Sequence, residues 1–328
     1  MSASELSAIG SVPPAGSTRV AALDCGTNSI KLLIADLAVP VGSAAPGSER
    51  EVVRDMRMVR LGEGVDRTGM LSQAALTRVF AAIDEFVAVI EAHQVSAVRF
   101  CATSAARDAG NAADFAAGVR ARLGVEPEVL SGDEEAALSF LGATRSLPVP
   151  APEPVLVVDI GGGSTEFVQA GNHRSLDIGS VRMTERYLIS DPPTRAEIEA
   201  ATVAIDTELD SLTASGIELT ATGTFVGVAG TITTMAAIAL GLADYDRIAI
   251  HHSQIARAEA TRISERLLAM TVAQRRAIGA MHPGRADVIG AGALILERIL
   301  RRTSVPEVLV SEHDILDGIA WSLVGEQL

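Results

Sequence analysis

The 328-residue chain is 48% apolar with a mean hydropathy of +0.30, enough to bury a large core, and its length suggests about two domains. A formal charge of −14 excludes the broad basic face that duplex nucleic acid or an anionic membrane would need. It leaves room for arginines gathered locally around a small polyanion, because screening cuts off the general field within roughly 8 Å at physiological salt. Lys31 is the only lysine, and a compositional bias of the genome explains that skew at least as well as a preference for phosphate contact. The two cysteines, Cys25 and Cys101, match no metal spacing; they read as core or loop filler in a reducing cytoplasm.

In chain order, Met1 to Ser17 is rich in Ser, Ala, Pro and Gly without a basic start or apolar core, which predicts a floppy leader and not a signal peptide. The run Val20–Leu23 then enters Asp24-Cys25-Gly26-Thr27-Asn28-Ser29, and β character returns at Ile30–Ile34, so the motif predicts a hairpin with an acid at its mouth. Strand character from Glu51 to Leu61 is followed by a turn-rich stretch, Gly62 to Gly69. A helix is predicted from Ser72 to Gln94, with Ser72 as N-cap and Leu76, Val79, Phe80, Ile83, Phe86, Val87 and Ile90 at helical spacing. A strand Val95–Ala102, a helix Ala112–Leu123 and a strand Glu126–Leu130 give a βαβ order and a mostly parallel sheet. Ser131 to Glu135 opens a helix through Ala143, and Pro148 to Pro154 reads as a stiff connector.

The second half repeats the hairpin: Val155–Val158 enters Asp159-Ile160-Gly161-Gly162-Gly163-Ser164, and Thr165–Val168 returns. A long helix is predicted from Thr194 to Ala214. Leu219 to Ala243 carries no charge and is long enough to span a bilayer, but six threonines and four glycines interrupt it. It reads better as a buried strand, a Gly230-Thr231 turn and a short helix. Helices Ser253–Met270 and Asp287–Arg301, a strand Glu307–Val310 and a closing helix from Asp314 complete the chain, the last strand and helix being expected to return to the first domain.

Glycines let backbone N–H groups crowd against an anion, and an Asp beside them can hold a cation directly or through water. Two such hairpins facing each other would make a cleft for a metal-bound phosphate chain. Glu166 lies across its turn from Asp159, so both acids can point into one site, and three successive glycines in a strand-forming context require close approach of something to the backbone. In the Asp133-Glu134-Glu135 cluster the helix dipole explains the first two acids; Glu135, one turn in, is a candidate acceptor of a proton from attacking water. Arg107, Arg182 and Arg285 each follow a small or Gly-rich stretch and, with Gly26, Asn28, Ser29, Gly230 and Thr231, make a set of anion donors. His251, His252, His282 and His313 show no zinc-type spacing.

These stretches resemble the exopolyphosphatase/guanosine pentaphosphatase (Ppx/GppA) family. The resemblance rests on Ala22–Ser29, Arg60–Val65, Ala102–Ala105 with Arg107, Leu130–Ala136, Val158–Glu166, Ile178–Arg182, Val228–Thr231 and Pro283–Asp287, in the family's order. It implies an α/β fold of two actin-like (ribonuclease H-like) ATPase-superfamily domains with an interdomain cleft, domain I from 1–132 plus 311–328 and domain II from 133–310. It also implies removal of the terminal phosphate of inorganic polyphosphate, or of guanosine pentaphosphate (pppGpp), by a magnesium-assisted water, with Mn²⁺ as a substitute ion. Glu135 then falls at the general base, with Asp159 and Glu166 around the metal and the water. Asp24, Gly26, Thr27, Asn28 and Ser29, the loop Gly161, Gly162, Gly163 and Ser164, and Arg107, Gly230, Thr231 and Arg285 would hold phosphates. Longer members add a helical region resembling an HD phosphohydrolase domain; ending at Leu328, this chain resembles the short actinobacterial-type forms, which leaves open both processivity on very long chains and a homodimer. Two rival readings are an ATP-dependent sugar or acetate-type kinase on the same fold and a non-catalytic polyphosphate sensor.

Overall fold

The computed structural model describes residues 12–38, 48–147 and 151–325. It divides into two compact units, Met1–Arg145 with Ile315–Leu328, and Ser146–Asp314. The expected leader falls partly, and the connector's residues 148–150 wholly, outside the described residues.

In the first unit β1 (Thr18–Cys25), β2 (Ser29–Ala38), β3 (Ser48–Met58), β4 (Ala97–Ala102) and β5 (Glu128–Val129) form one sheet in the order β3-β2-β1-β4-β5. The first three strands run antiparallel, and β1, β4 and β5 run parallel. Helices α1 (Gln73–His93), α2 (Ala112–Leu123) and α3 (Gly132–Thr144) supply the cover. Ser72 caps α1 by accepting from the Ala75 N–H at 3.1 Å, and Gln94 ends it in the left-handed conformation. β1 is apolar from Val20 to Leu23, where both its faces are buried. Leu23 and Cys25 share one cluster with Phe86, Phe100 and Phe115, while Val20 and Ala22 share another with Leu138 of α3 and with Leu316 and Trp321 of the closing helix Ile315–Ser322.

That second cluster moves the domain boundary. The expected division at 132/133 would have removed α3 from the apolar face it covers, and the first unit instead runs to Arg145 and resumes at Ile315. Burial pushes the Cys25 thiol well up, with a further push from Asp24, and pushes Cys101 up to about 12, so both are inert filler.

The second unit repeats the plan with β6 (Val155–Ile160), β7 (Thr165–Gln169), β8 (Asn172–Leu176), β9 (Thr224–Val228), β10 (Gln254–Ala256) and β11 (Glu307–Val310), in the order β10-β11-β9-β6-β7-β8. Again three strands run antiparallel, β6, β7 and β8, and β6, β9 and β11 run parallel. The strand 307–310 stays in this sheet, where Leu309 and Val310 pair with Val226 and Gly227, so only the closing helix belongs to the first unit. The uncharged stretch resolves into β9 and α5 (Ala229–Ala239), preceded by a short 3₁₀ turn, and among the described residues no helix is long and apolar enough to cross a membrane. Two features escape the pattern reading: β8 with α4 (Ser180–Tyr187), and β10, which occupies the start of the expected helix Ser253–Met270, a helix that in fact spans Arg257–Ala269.

Candidate active site

The first acid-and-glycine loop joins β1 to β2. Its turn closes through the Gly26 N–H on the Ser29 carbonyl at 2.9 Å, and Thr27 Oγ1 lies 2.8 Å from Ser104 Oγ. The Asn28 carbonyl accepts from the N–H groups of Val59 and Arg60, and the Thr27 carbonyl from that of Gly62, which fastens the loop to the Arg60–Val65 motif. Gly62 is needed there because a Cβ would overlap the Thr27 side chain. Asp24, at the mouth, is buried and pairs across the ladder with Lys31, whose Nζ stands 3.2 Å from Oδ2. The sole lysine is therefore a counter-ion of this acid.

Glu135 lies in the first turn of α3. Ser131 and Glu134 form a capping box, each satisfying the other's backbone N–H. Hydrogen bonds from the Ser131 backbone and then its hydroxyl hold the Glu134 carboxyl below the usual range. Glu135 is different: it is 8% exposed, and Arg107 Nη1 donates to its Oε2 at 3.1 Å and to the Leu130 carbonyl at 2.9 Å. Arg107, expected as a phosphate ligand, here neutralises the candidate base.

The second loop joins β6 to β7. Asp159 and Glu166 are directly opposed in the antiparallel register, so their side chains leave the same face of the sheet. Both are buried, and Ser175 of β8, opposite Glu166, donates its hydroxyl to Oε1 at 2.8 Å. Gly161 closes the turn on the Ser164 carbonyl at 3.0 Å. The loop's own carbonyls turn toward the start of α4. The Ser180 N–H donates to Gly161 O at 2.9 Å, those of Val181 and Arg182 to Gly162 O at 2.8 and 3.1 Å, and Arg182 Nε to Gly163 O at 2.7 Å. Gly179 makes this approach because a Cβ there would overlap the Gly162 backbone.

Beyond β9, the guanidinium of Arg285 lies over Gly230, and its Nη1 donates to Thr234 Oγ1 at 3.2 Å. Thr231 is buried against Gly292, and Ala229 holds a φ of 68°, a left-handed conformation strained for a residue with a Cβ. Tyr245 donates its hydroxyl to Glu312 at 2.5 Å; burial, then the Glu312 charge, raises its pKa. Of the histidines, His251 stacks on His252 at 3.7 Å and lies 4.7 Å from His313, while His282 Nδ1 accepts from the Gly284 N–H. Burial, then the neighbouring His313, lowers the pKa of His252.

Among the described residues no three of His, Cys, Asp and Glu converge on a point fit for a metal ion. Magnesium does not ask for three: it keeps several waters and binds through one or two carboxylates plus substrate phosphates, and the opposed pair Asp159–Glu166 fits that donor set. Three contributors were not singled out from the sequence: Lys31, Ser175 and Ser104. For Lys31 the signal was available, since it stands in the ladder opposite Asp24 as Glu166 stands opposite Asp159.

Two repeated α/β units, each with an acid-and-glycine hairpin after its first strand, place the chain among the actin-like ATPase-fold proteins. Residues 41–327 match the Ppx/GppA phosphatase family, and the chain belongs to that family. Exopolyphosphatase 2 of Mycobacterium tuberculosis H37Rv is 46% identical over 322 residues, covering 94% of this chain and 99% of that protein. Exopolyphosphatase 1 of Mycobacterium bovis is 28% identical over 310 residues, covering 92% and 87%. Of solved structures, an exopolyphosphatase-like protein is 41% identical with a TM-score of 0.89, covering 94% of this chain and 98% of its own. The Aquifex aeolicus Ppx/GppA family member is 28% identical with a TM-score of 0.77, covering 95% and 100%.

Proposed function

We propose that the chain is an exopolyphosphatase that releases terminal orthophosphate from inorganic polyphosphate by attack of water. The observation that carries this reading is the buried, directly opposed pair Asp159–Glu166 at the mouth of a triple-glycine loop. The exopolyphosphatase names of relatives that match along nearly their whole length support it.

Phosphoryl transfer to water asks little covalent chemistry of a protein; positioning and charge neutralisation do most of the work. Asp159 and Glu166 would hold Mg²⁺, with Mn²⁺ as a substitute, and the ion when bound supplies positive charge to the phosphate oxygens. Ser175 keeps Glu166 oriented by its hydrogen bond. In the second unit, backbone N–H groups of the Gly161–Ser164 loop, with Arg285, Gly230 and Thr231, take phosphate oxygens; in the first, the Asp24–Ser29 loop offers a like set of anion donors. Glu135 accepts the proton of the attacking water, and Arg107 keeps its carboxylate pointed through their hydrogen bond. Such a base contributes on the order of 10²–10⁴-fold.

Guanosine pentaphosphate presents the same terminal phosphoanhydride and is the alternative substrate. Phosphate release from short polyphosphate, long polyphosphate and pppGpp, measured side by side with and without Mg²⁺, decides. Release from polyphosphate that depends on the ion is expected. Release from pppGpp alone would move the assignment to that substrate, and consumption of ATP with a phosphorylated acceptor would replace hydrolase by kinase. We take the cytoplasm as the compartment, on the two unpaired, buried cysteines.

A further inference from the structure

The second loop is fixed by carbonyls, and they are fixed in two different ways. Main-chain N–H groups of α4 hold the carbonyls of Gly161 and Gly162, the first with the Ser180 hydroxyl beside them at 3.2 Å. The Gly163 carbonyl is held by a side chain, Arg182 Nε at 2.7 Å. In a trans peptide the N–H points opposite to the C=O. With its carbonyl drawn toward α4, the Gly163–Ser164 peptide therefore offers the Ser164 N–H on the far side, the side on which an anion-binding row of amides has to lie. Turning that peptide over rotates ψ of residue 163 and φ of Ser164, and glycine at 163 leaves the first rotation unhindered by a Cβ. A reversed peptide would aim a carbonyl oxygen at a phosphate.

We propose that Arg182 is a positioning residue for the phosphate loop: its guanidinium holds the Gly163 carbonyl against α4 and so sets which side of the Gly163–Ser164 peptide meets the substrate. The side chain is 10% exposed, and an acidic neighbour, Asp177, lies 3.6 Å from Nη2, so the guanidinium belongs to the wall of the loop and not to its open side. This assignment replaces the expectation that Arg182 binds phosphate itself. It rests on the reading that the loop binds phosphate.

The test compares Arg182→Met and Arg182→Lys on the full chain, with steady-state kinetics on short polyphosphate and the Gly163 and Ser164 amide resonances followed as inorganic phosphate is added. In the unsubstituted protein the Ser164 amide should move with phosphate. Arg182→Met should raise KM about tenfold or more, with a smaller change in kcat, as expected for loss of a charge-assisted hydrogen bond, and its Ser164 amide should start displaced. Arg182→Lys, which keeps one cationic donor for the carbonyl, should recover most of the loss. Unsubstituted KM and kcat in a folded Arg182→Met would overturn the proposal. So would an Arg182→Lys protein with raised KM and an unmoved Ser164 amide, since that pattern means direct contact with substrate. Should Arg182→Met fail to fold in a thermal melt, the lysine variant decides by the same two readouts. If the unsubstituted protein releases phosphate yet its Ser164 amide ignores phosphate, the loop reading itself has failed, independently of Arg182.

Discussion

At the mouth of the first hairpin Asp24 lies across the ladder from Lys31, whereas at the mouth of the second Asp159 lies across from Glu166. The two places are equivalent in strand order and register, yet one carries a charge pair that balances itself and the other two buried acids. Opposed side chains in a ladder stand about 5 Å apart at Cβ. At an effective dielectric of 20, two like charges at that distance repel by on the order of 3 kcal/mol. The first hairpin sets its acid against a lysine, the second against another acid. One repeated scaffold thus carries an acid–lysine pair in one unit and an acid–acid pair in the other by exchanging a single residue type.

The sharpest measure lies outside both hairpins. Glu135→Gln should lower phosphate release by about 10²–10⁴-fold while the protein stays folded, because the amide can still accept from Arg107. Near-normal turnover would remove Glu135 from the mechanism and leave the hairpins to explain catalysis alone. Next, Asp159→Asn should raise the Mg²⁺ concentration needed for half-maximal activity by about 10–100-fold, in the range seen when groups around a bound metal are altered. Asp24→Asn should leave that midpoint in place. Equal shifts in both variants, read from magnesium titrations, would break the contrast between the hairpins.

A smaller effect should appear in stability. Lys31→Met removes a cationic partner of the buried Asp24 carboxylate and should cost about 1–3 kcal/mol, read as a lower urea midpoint with an unchanged Mg²⁺ requirement; a shifted requirement would mean that Lys31 bears on the metal. The smallest is a dependence on acid. Burial pushes the Asp36 carboxyl up, but hydrogen bonds and charge from Arg19 and then Arg50 outweigh it and hold it below its ordinary value. In the second unit Asp206 is likewise held down against burial by Arg298 and Arg302. For a depressed carboxyl the contribution is fully present above the unfolded value near 4 and is lost as pH falls through the folded one. Asp36→Asn should therefore flatten the loss of stability between roughly pH 4 and pH 2, measured by urea unfolding at several pH values. An unchanged slope would show that this pair contributes nothing there.

Much of the plan was legible because it is written locally. The hairpins announce themselves through Asp and Gly, the helix Ala112–Leu123 and the strand Glu307–Val310 fall where the pattern puts them, and Ser72 and Ser131 cap as their residue types prefer. What was missed lacks a local pattern. β8 is mostly exposed and polar, so it shows no apolar alternation, and β10 is three residues that count as a strand through pairing with β11. The boundary after α3 was misread because the apolar partner of Leu138 is the closing helix, which lies at the other end of the chain.

The sequence by itself determined where the chain turns, which carboxylates stand beside glycines, and that the two halves repeat, since each follows from the conformational preferences of neighbouring residues. Only the tertiary structure decided the partner of each charge: Lys31 for Asp24, Arg107 for Glu135, Arg182 for the Gly163 carbonyl. A hydrogen bond or ion pair is made over a few ångströms between strands or helices whose approach depends on the packing of the whole unit, and no window of sequence contains that distance.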